Sequence, residues 1–173
     1  MDPVESNTLN DTIPGTIAQL SSRVAWRDGM AFDASLDGFT LPLDAGPEAG
    51  GVGYGPRPTG LVLTALCGCT AMDVVAMLRK MRVPMKSLVV TADGALAPTH
   101  PRYFERIELH YDFTGTDLSL EKLERAVNMS LEKFCAVAAM LQPKAHLAHT
   151  IRINGAARLR VDETTVSFVP EAD

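Results

Sequence analysis

Cysteine is scarce in this 173-residue chain, with three residues at 67, 69 and 135, an odd number and too few for a disulfide scaffold. Positive charge is also short. The net charge is −5, so nothing points to counterion-driven binding of nucleic acid. The basic residues Arg79, Lys80, Arg82 and Lys86 do cluster, but they come after a helix end, where cations complement the helix dipole. No apolar run reaches the roughly 18 residues a bilayer span needs, because the longest uncharged stretch stops at Asp73. The N-terminus, Met1-Asp-Pro-Val-Glu-Ser6, has neither a basic leader nor an apolar h-region, so it does not read as a secretory signal. A cytoplasmic location is the default expectation, and it empties the glycosylation sequon Asn10-Asp-Thr12 of meaning. Histidine is sparse and badly spaced for metal. His100, His110, His146 and His149 include no His-x-x-x-His pair, and none adjoins a cysteine in sequence, so neither a metal site nor a cofactor is expected.

The chain does have enough hydrophobic content, 46%, to exclude wholesale disorder and to build one domain with a substantial core. Residues 1–15 are polar, carry Pro3 and Pro14, and read as a mobile arm. Strand-like segments come next at Thr16–Trp26, Met30–Ser35 and Phe39–Asp44, separated by Arg27-Asp-Gly29 and Asp37-Gly38. Asp-Gly pairs are strong tight-turn signals, which predicts three antiparallel strands. The stretch Gly46–Gly55 is too rich in glycine for regular structure and reads as a flexible loop.

Pro56-Arg-Pro58 opens a helix, with proline tolerated in the first turn. From Leu61 to Met72 no face carries a charge, so this half must be enclosed on all sides; Pro84 marks the end. Ser87–Ala97 and Tyr103–Phe113 read as strands. In the second, Ile107, Leu109, Tyr111 and Phe113 alternate with Arg106, Glu108, His110 and Asp112, the pattern of a sheet with one wet face. Ser119 is placed to cap a second helix, with Glu121 in its first turn. That helix runs to about Leu141, with Leu120, Leu123, Val127, Leu131, Phe134, Ala138 and Leu141 on one apolar face. Thr150–Ile153 reads as a further strand, and Arg158–Val161 with Thr165–Val169 offers a short hairpin. Strands in hairpin pairs rather than in single alternation with helices predict an α+β fold with antiparallel sheet.

Cys69 lies in Gly55-Pro-Arg-Pro-Thr-Gly-Leu-Val-Leu-Thr-Ala-Leu-Cys-Gly-Cys69-Thr-Ala-Met-Asp-Val-Val75, and Cys135 in Ser130-Leu-Glu-Lys-Phe-Cys135-Ala-Val-Ala-Ala-Met-Leu141. Together with His100-Pro101 and His149-Thr-Ile-Arg-Ile153, these two segments resemble the OsmC/Ohr family, in particular its YhfA-like branch. The resemblance covers about residues 16–154, an OsmC-like domain, and leaves 155–173 as a C-terminal extension. It implies an intertwined homodimer in which a curved antiparallel sheet from each subunit surrounds two long central helices. It implies a thiol-dependent peroxidase acting on organic hydroperoxides or hydrogen peroxide, reset by a dithiol such as a lipoyl group or by a small thiol. By position Cys69 matches the attacking cysteine and Cys135 the resolving one, with no membrane or nucleic-acid partner.

An apolar setting raises a thiol pKa above its ordinary value of about 8.5, so such a nucleophile needs a cation beside it. The family supplies an arginine from an early hairpin, and Arg27 in Trp-Arg-Asp-Gly falls on the matching segment. The family's orienting glutamate is missing: Thr59 and Gly60 stand where it would lie, and neither can grip a guanidinium as a carboxylate does. Arg57 is an alternative cation and Glu48 an alternative carboxylate. Cys67 points roughly 200° away from Cys69 around a helix and reads as a packing residue. Asp73 either pairs with a cation across the interface or begins the helix's wet half, and the methionines at 72, 77, 81, 129 and 140 fill core gaps or face an apolar channel. Two readings stay open: the peroxidase, and a non-catalytic dimer that binds an apolar ligand or a thiol metabolite.

Overall fold

The structure, a computed structural model, describes residues 19–162 and 165–168, so the N-terminal arm expected at 1–15 lies outside the described residues. The chain divides into two units, residues 1–57 and 58–173.

In the first unit β1 (Ser22–Asp28), β2 (Ala31–Leu36) and β3 (Phe39–Leu43) form an antiparallel sheet in that order. Both Asp-Gly turns are present. Asp37 and Gly38 both take positive φ, 51° and 81°, which a two-residue hairpin matching the strand twist demands. The first strand extends two residues beyond the predicted end at Trp26. A bulge between Trp26 and Asp28 lets the strand run on, so Arg27 sits within β1 at an irregular position rather than in the turn. The glycine-rich segment is also more ordered than expected. Pro47–Ala49 form one 3₁₀ turn, closed by Gly50 in the left-handed region at φ 84°.

The second unit begins with α1 (Pro58–Lys80), then β4 (Met85–Leu96) and β5 (Phe104–Gly115). The helix stops before Pro84. Arg82 at φ 54° and the bonds from Val83 N to Leu78 O and from Arg82 N to Arg79 O make a Schellman stop just past Lys80. Then come α2 (Leu120–Met129), α3 (Ala136–Leu141), β6 (His146–Ile153), β7 (Ala156–Asp162) and β8 (Thr165–Phe168). The strands form one sheet in the order β4-β5-β6-β7-β8. Its pairs are antiparallel except β5 with β6, which is parallel. The helical crossover between those two strands returns the chain in the same direction, and the antiparallel expectation is corrected at that pair.

The alternation predicted along β5 holds, with Ile107, Leu109, Tyr111 and Phe113 all buried. The opposite face carries ion pairs, Arg160 to Glu108 at 3.2 Å and Arg152 to Asp112 at 3.8 Å. Against the dry face α1 presents Leu66, Thr70, Val74 and Leu78, one residue per turn. Among the described residues only that stripe of α1 is buried, and they do not enclose the helix on all sides: Thr64, Ala65 and Ala76 are exposed and Met72 is 71% exposed. The helix is also long and apolar enough to meet the length and hydropathy of a bilayer span, Asp73 notwithstanding, a test that the core helix of a soluble protein also passes.

The second helix is not continuous. Ser119 caps α2 as predicted, its hydroxyl accepting from the Lys122 N–H at 3.4 Å. Beyond Met129, Ser130–Phe134 form a π turn, and Cys135 leaves helical geometry altogether at ψ 104° before α3 restarts. The Cys135 N–H reaches back five residues to the Ser130 carbonyl at 2.8 Å. The extra residue shifts the phase of the helix, and Phe134, predicted on the apolar face, is 57% exposed.

Candidate thiol site

The break between α2 and α3 decides where the second sulfur goes. In an unbroken helix Cys135 would be one more apolar residue. Here it is the N-cap of α3, its Sγ accepting from the Ala138 N–H at 3.3 Å, and the side chain is almost wholly buried. Cys69 stands on α1 beside the buried Leu66–Thr70 stripe and is half-buried, while Cys67, on another flank of the same helix, also packs partly against the core. Asp73, one turn after Cys69 on the same face, accepts from the buried Ser130 hydroxyl at 3.0 Å. The Cys69 sulfur, the Cys135 sulfur and a carboxylate oxygen of Asp73 all lie within 4.8 Å of one another.

Burial pushes the Cys135 thiol up to about 11, with Cys69 beside it adding to the effect and the Ala138 N–H opposing it. At neutral pH Cys135 is therefore a protonated thiol. Behind the sulfurs stands Tyr111, fully buried, its phenol pushed up by burial and by the charges of Cys135, Cys67 and Asp73. The Thr70 hydroxyl beside it donates to the Cys67 carbonyl at 3.2 Å, and its hydrogen bonding to the ionised phenol opposes that rise. His149 meets the Tyr111 ring edge-on at 6.2 Å. Burial pushes this imidazole down to about 4, so it is neutral at pH 7, and its Nε2 has no hydrogen-bond partner among the described residues.

Arg27 belongs to the first unit. Its guanidinium donates to Asp33 Oδ2 at 3.1 Å and lies 5.2 Å from the centre of the Tyr54 ring. The Tyr54 hydroxyl in turn donates to Asp33 Oδ1 at 2.6 Å. Neither partner is among the positions the sequence suggests for an orienting carboxylate, which are Thr59, Gly60 and Glu48. Thr59 and Gly60 are exposed in the first turn of α1, and Glu48 stands 3.8 Å from Arg57, both exposed. The signal for Asp33 is a cross-strand one: with Ala25 opposite Asp33, a residue two positions along β1 is a diagonal neighbour of that carboxylate. Tyr54 is placed by Asp44, whose buried carboxylate accepts from the N–H groups of Ala45, Val52 and Tyr54 at 2.8, 2.9 and 2.9 Å. Those bonds hold the Asp44 carboxyl below its ordinary range.

The remaining expected features fall elsewhere. His110 pairs with Asp93 at 3.5 Å on the outer sheet face, and His100 is exposed. A cavity of about 390 Å³ is lined by Ala71, Met72, Val75, Ala76, Arg79 and Leu88, and includes neither sulfur.

Known proteins share this architecture. The family described as OsmC-like protein matches residues 50–150. Protein YhfA of Escherichia coli K12 is 34% identical over 137 residues, which cover 78% of this chain and 98% of that protein. A hypothetical protein from Aquifex aeolicus superposes with a TM-score of 0.72 at 24% identity, over 80% of this chain and 98% of its own. An organic hydroperoxide resistance protein OsmC from Legionella pneumophila superposes with a TM-score of 0.62 at 16% identity, over 79% of this chain and 98% of its own.

Proposed function

Because this chain belongs to the OsmC-like family, we propose that it is a thiol-dependent peroxidase that reduces organic hydroperoxides. The observation that carries the reading is the approach of the Cys69 and Cys135 sulfurs to within 4.8 Å, one reachable and the other buried as a neutral thiol. The name of the Legionella neighbour, an organic hydroperoxide resistance protein, supports that choice of substrate class.

In the proposed cycle Cys69, as thiolate, attacks the distal oxygen of the hydroperoxide. The O–O bond breaks, the alkoxide leaves as the alcohol after taking a proton, and Cys69 holds a sulfenic acid. Cys135 then attacks that sulfur. An S–S bond forms, the S–O bond breaks, and the oxygen departs as water with the proton of Cys135; Asp73 is the carboxylate at hand to pass it on. One hydroperoxide and two thiols become one alcohol, one water and one disulfide. A dithiol or lipoyl-type reductant returns two electrons by thiol–disulfide exchange. Arg27, oriented by Asp33 and Tyr54, is assigned to polarise the thiolate and the peroxide. Asp33 then does the work that a glutamate in the first turn of α1 would otherwise do.

The active assembly is proposed to be a homodimer, because α1 exposes a long apolar face, with Met72 at 71% exposure, that the described residues leave uncovered. The missing first-turn glutamate favours the competing reading, a non-catalytic dimer holding an apolar ligand or thiol metabolite.

The deciding experiment mixes reduced protein with cumene hydroperoxide or hydrogen peroxide and counts free thiols over time, beside Cys69→Ser. Loss of two thiols per chain within seconds, absent in the variant, is expected. No loss at a hundredfold excess of either peroxide would leave only the binding reading.

A further inference from the structure

Cys69, Asp73 and Cys135 do more than bring two sulfurs together. We propose that they form a site for a thiophilic divalent cation of the Zn²⁺ type, a property that stands on their geometry alone and does not depend on peroxidase activity. One donor atom from each lies within 4.8 Å of the other two. Around a tetrahedral Zn²⁺, bonds of about 2.3 Å to sulfur and 2.0 Å to oxygen put donor atoms roughly 3.5 Å apart, so side-chain adjustment of about an ångström closes the site.

The donors are built in, not incidental. Cys69 and Asp73 are four residues apart on α1, so the helix itself sets their separation. Cys135 is fixed by the π turn and by its role as the cap of α3. Each donor also has outer support. The Ala138 N–H points at the Cys135 sulfur at 3.3 Å, the kind of contact that spreads thiolate charge. The Ser130 hydroxyl holds Asp73 at 3.0 Å and fixes the orientation of its carboxylate. Two sulfurs and one carboxylate select Zn²⁺ over Mg²⁺ or Ca²⁺, which favour all-oxygen shells.

One further observation points to a bound cation. A thiol is buried beside a carboxylate and a second thiol, a grouping whose ionised form calls for positive charge. Three protein donors leave a fourth position open to a water.

Binding balances as Zn²⁺ plus two thiols going to a dithiolate complex and two released protons, with no change of oxidation state. Affinity therefore climbs with pH. Metal and oxidant compete for the same sulfur lone pairs, so the loaded site is closed to peroxide and the disulfide is closed to metal.

The test uses the full-length reduced protein under anaerobic conditions, with Co²⁺ as a spectroscopic probe and Zn²⁺ as competitor. One Co²⁺ per chain is expected, with an intense thiolate-to-cobalt charge-transfer band that Zn²⁺ abolishes. Cys69→Ser and Cys135→Ser should weaken that band by about half, Asp73→Asn should cost tenfold or more in affinity with the band retained, and Cys67→Ser should change nothing. Should a serine variant not fold, wild-type protein alkylated at Cys69 with iodoacetamide takes its place. The proposal is overturned if reduced wild-type protein binds less than one equivalent, if Asp73→Asn binds as wild type does, or if Cys67→Ser loses the band. Failure here leaves the thiol count with metal-free protein and peroxide untouched, so the two readings fall separately.

Discussion

The Ser130 hydroxyl donates to Asp73 Oδ2 at 3.0 Å, joining positions 57 residues apart, and each end of that bond stands close to a sulfur: Asp73 is one turn past Cys69, and Ser130 supplies the carbonyl that receives the Cys135 N–H. The bond thus ties the cysteine-bearing turn of α1 to the irregular turn that places Cys135. Ser130→Ala would leave an acidic side chain facing an apolar methyl. A destabilisation of about 1–2 kcal/mol is expected, read from urea unfolding. Closure of the Cys69–Cys135 disulfide should slow as well, measured as the lag between loss of the first and second thiol after peroxide. Wild-type rates at unchanged stability would mean that this bond positions nothing.

His149 sets a pH dependence with a definite sign. Its folded pKa of about 4 lies below its unfolded value of 6.5, so between those pH values the unfolded chain binds a proton that the folded one refuses. Its contribution is complete above pH 6.5 and is lost as pH falls toward 4, below which it levels off. The pKa difference is worth about 3 kcal/mol. The depressed carboxyls of Asp33 and Asp44 act lower, beginning below their ordinary 3.8, so the windows separate. Replacing His149 with Leu should flatten the stability curve between pH 6.5 and 4. Denaturant titrations at half-unit intervals check this; an unchanged slope would assign the acid sensitivity to another group.

Arg27 offers a separation of activity from stability. Its pair with Asp33 is exposed, and exposed ion pairs contribute little to folding. Asp33→Asn and Tyr54→Phe should therefore leave the thermal midpoint within about 2 °C of wild type, since surface changes of this kind rarely exceed about 0.5 kcal/mol. If Arg27 serves the thiol, both should slow peroxide consumption roughly tenfold or more, as should Arg27→Met, while Glu48→Gln should leave it unchanged. Equal rates in all four variants would remove Arg27 from the chemistry.

The sequence is most readable where one local rule decides. Alternation along Ile107–Phe113 gives a half-buried strand, Asp-Gly gives both hairpins, and the Ser119 cap gives the start of α2. It is least readable where a single residue changes register. The bulge at Arg27 adds a residue to β1, and the π turn at Ser130–Phe134 adds one to the second helix. Apolar periodicity at Leu131, Phe134, Ala138 and Leu141 satisfies an unbroken helix equally well, so only tertiary packing reveals the break. The pairing of Cys69 with Cys135 comes from motif resemblance, whereas Asp73, Ser130 and Tyr111 join the site through contacts between elements far apart in the chain. Asp33 is hidden for a related reason: a diagonal cross-strand contact depends on register, which the bulge alters.

Cys135 carries two tasks that substitution can pull apart. As the cap of α3 it accepts the Ala138 N–H, and serine is the better acceptor for that bond. As the proposed resolving thiol it needs sulfur. Cys135→Ser should therefore keep or slightly raise stability, whereas Cys135→Ala should lose about 1 kcal/mol of cap energy. Both should consume a single equivalent of hydroperoxide and stop, with Cys69 held as a sulfenic acid that dimedone traps and mass spectrometry locates. In wild type the adduct should be scarce, because the neighbouring thiol captures the intermediate first. Equal dimedone labelling of wild type and both variants would show that Cys135 does not resolve, and would leave its place at the break in the helix as a matter of capping alone.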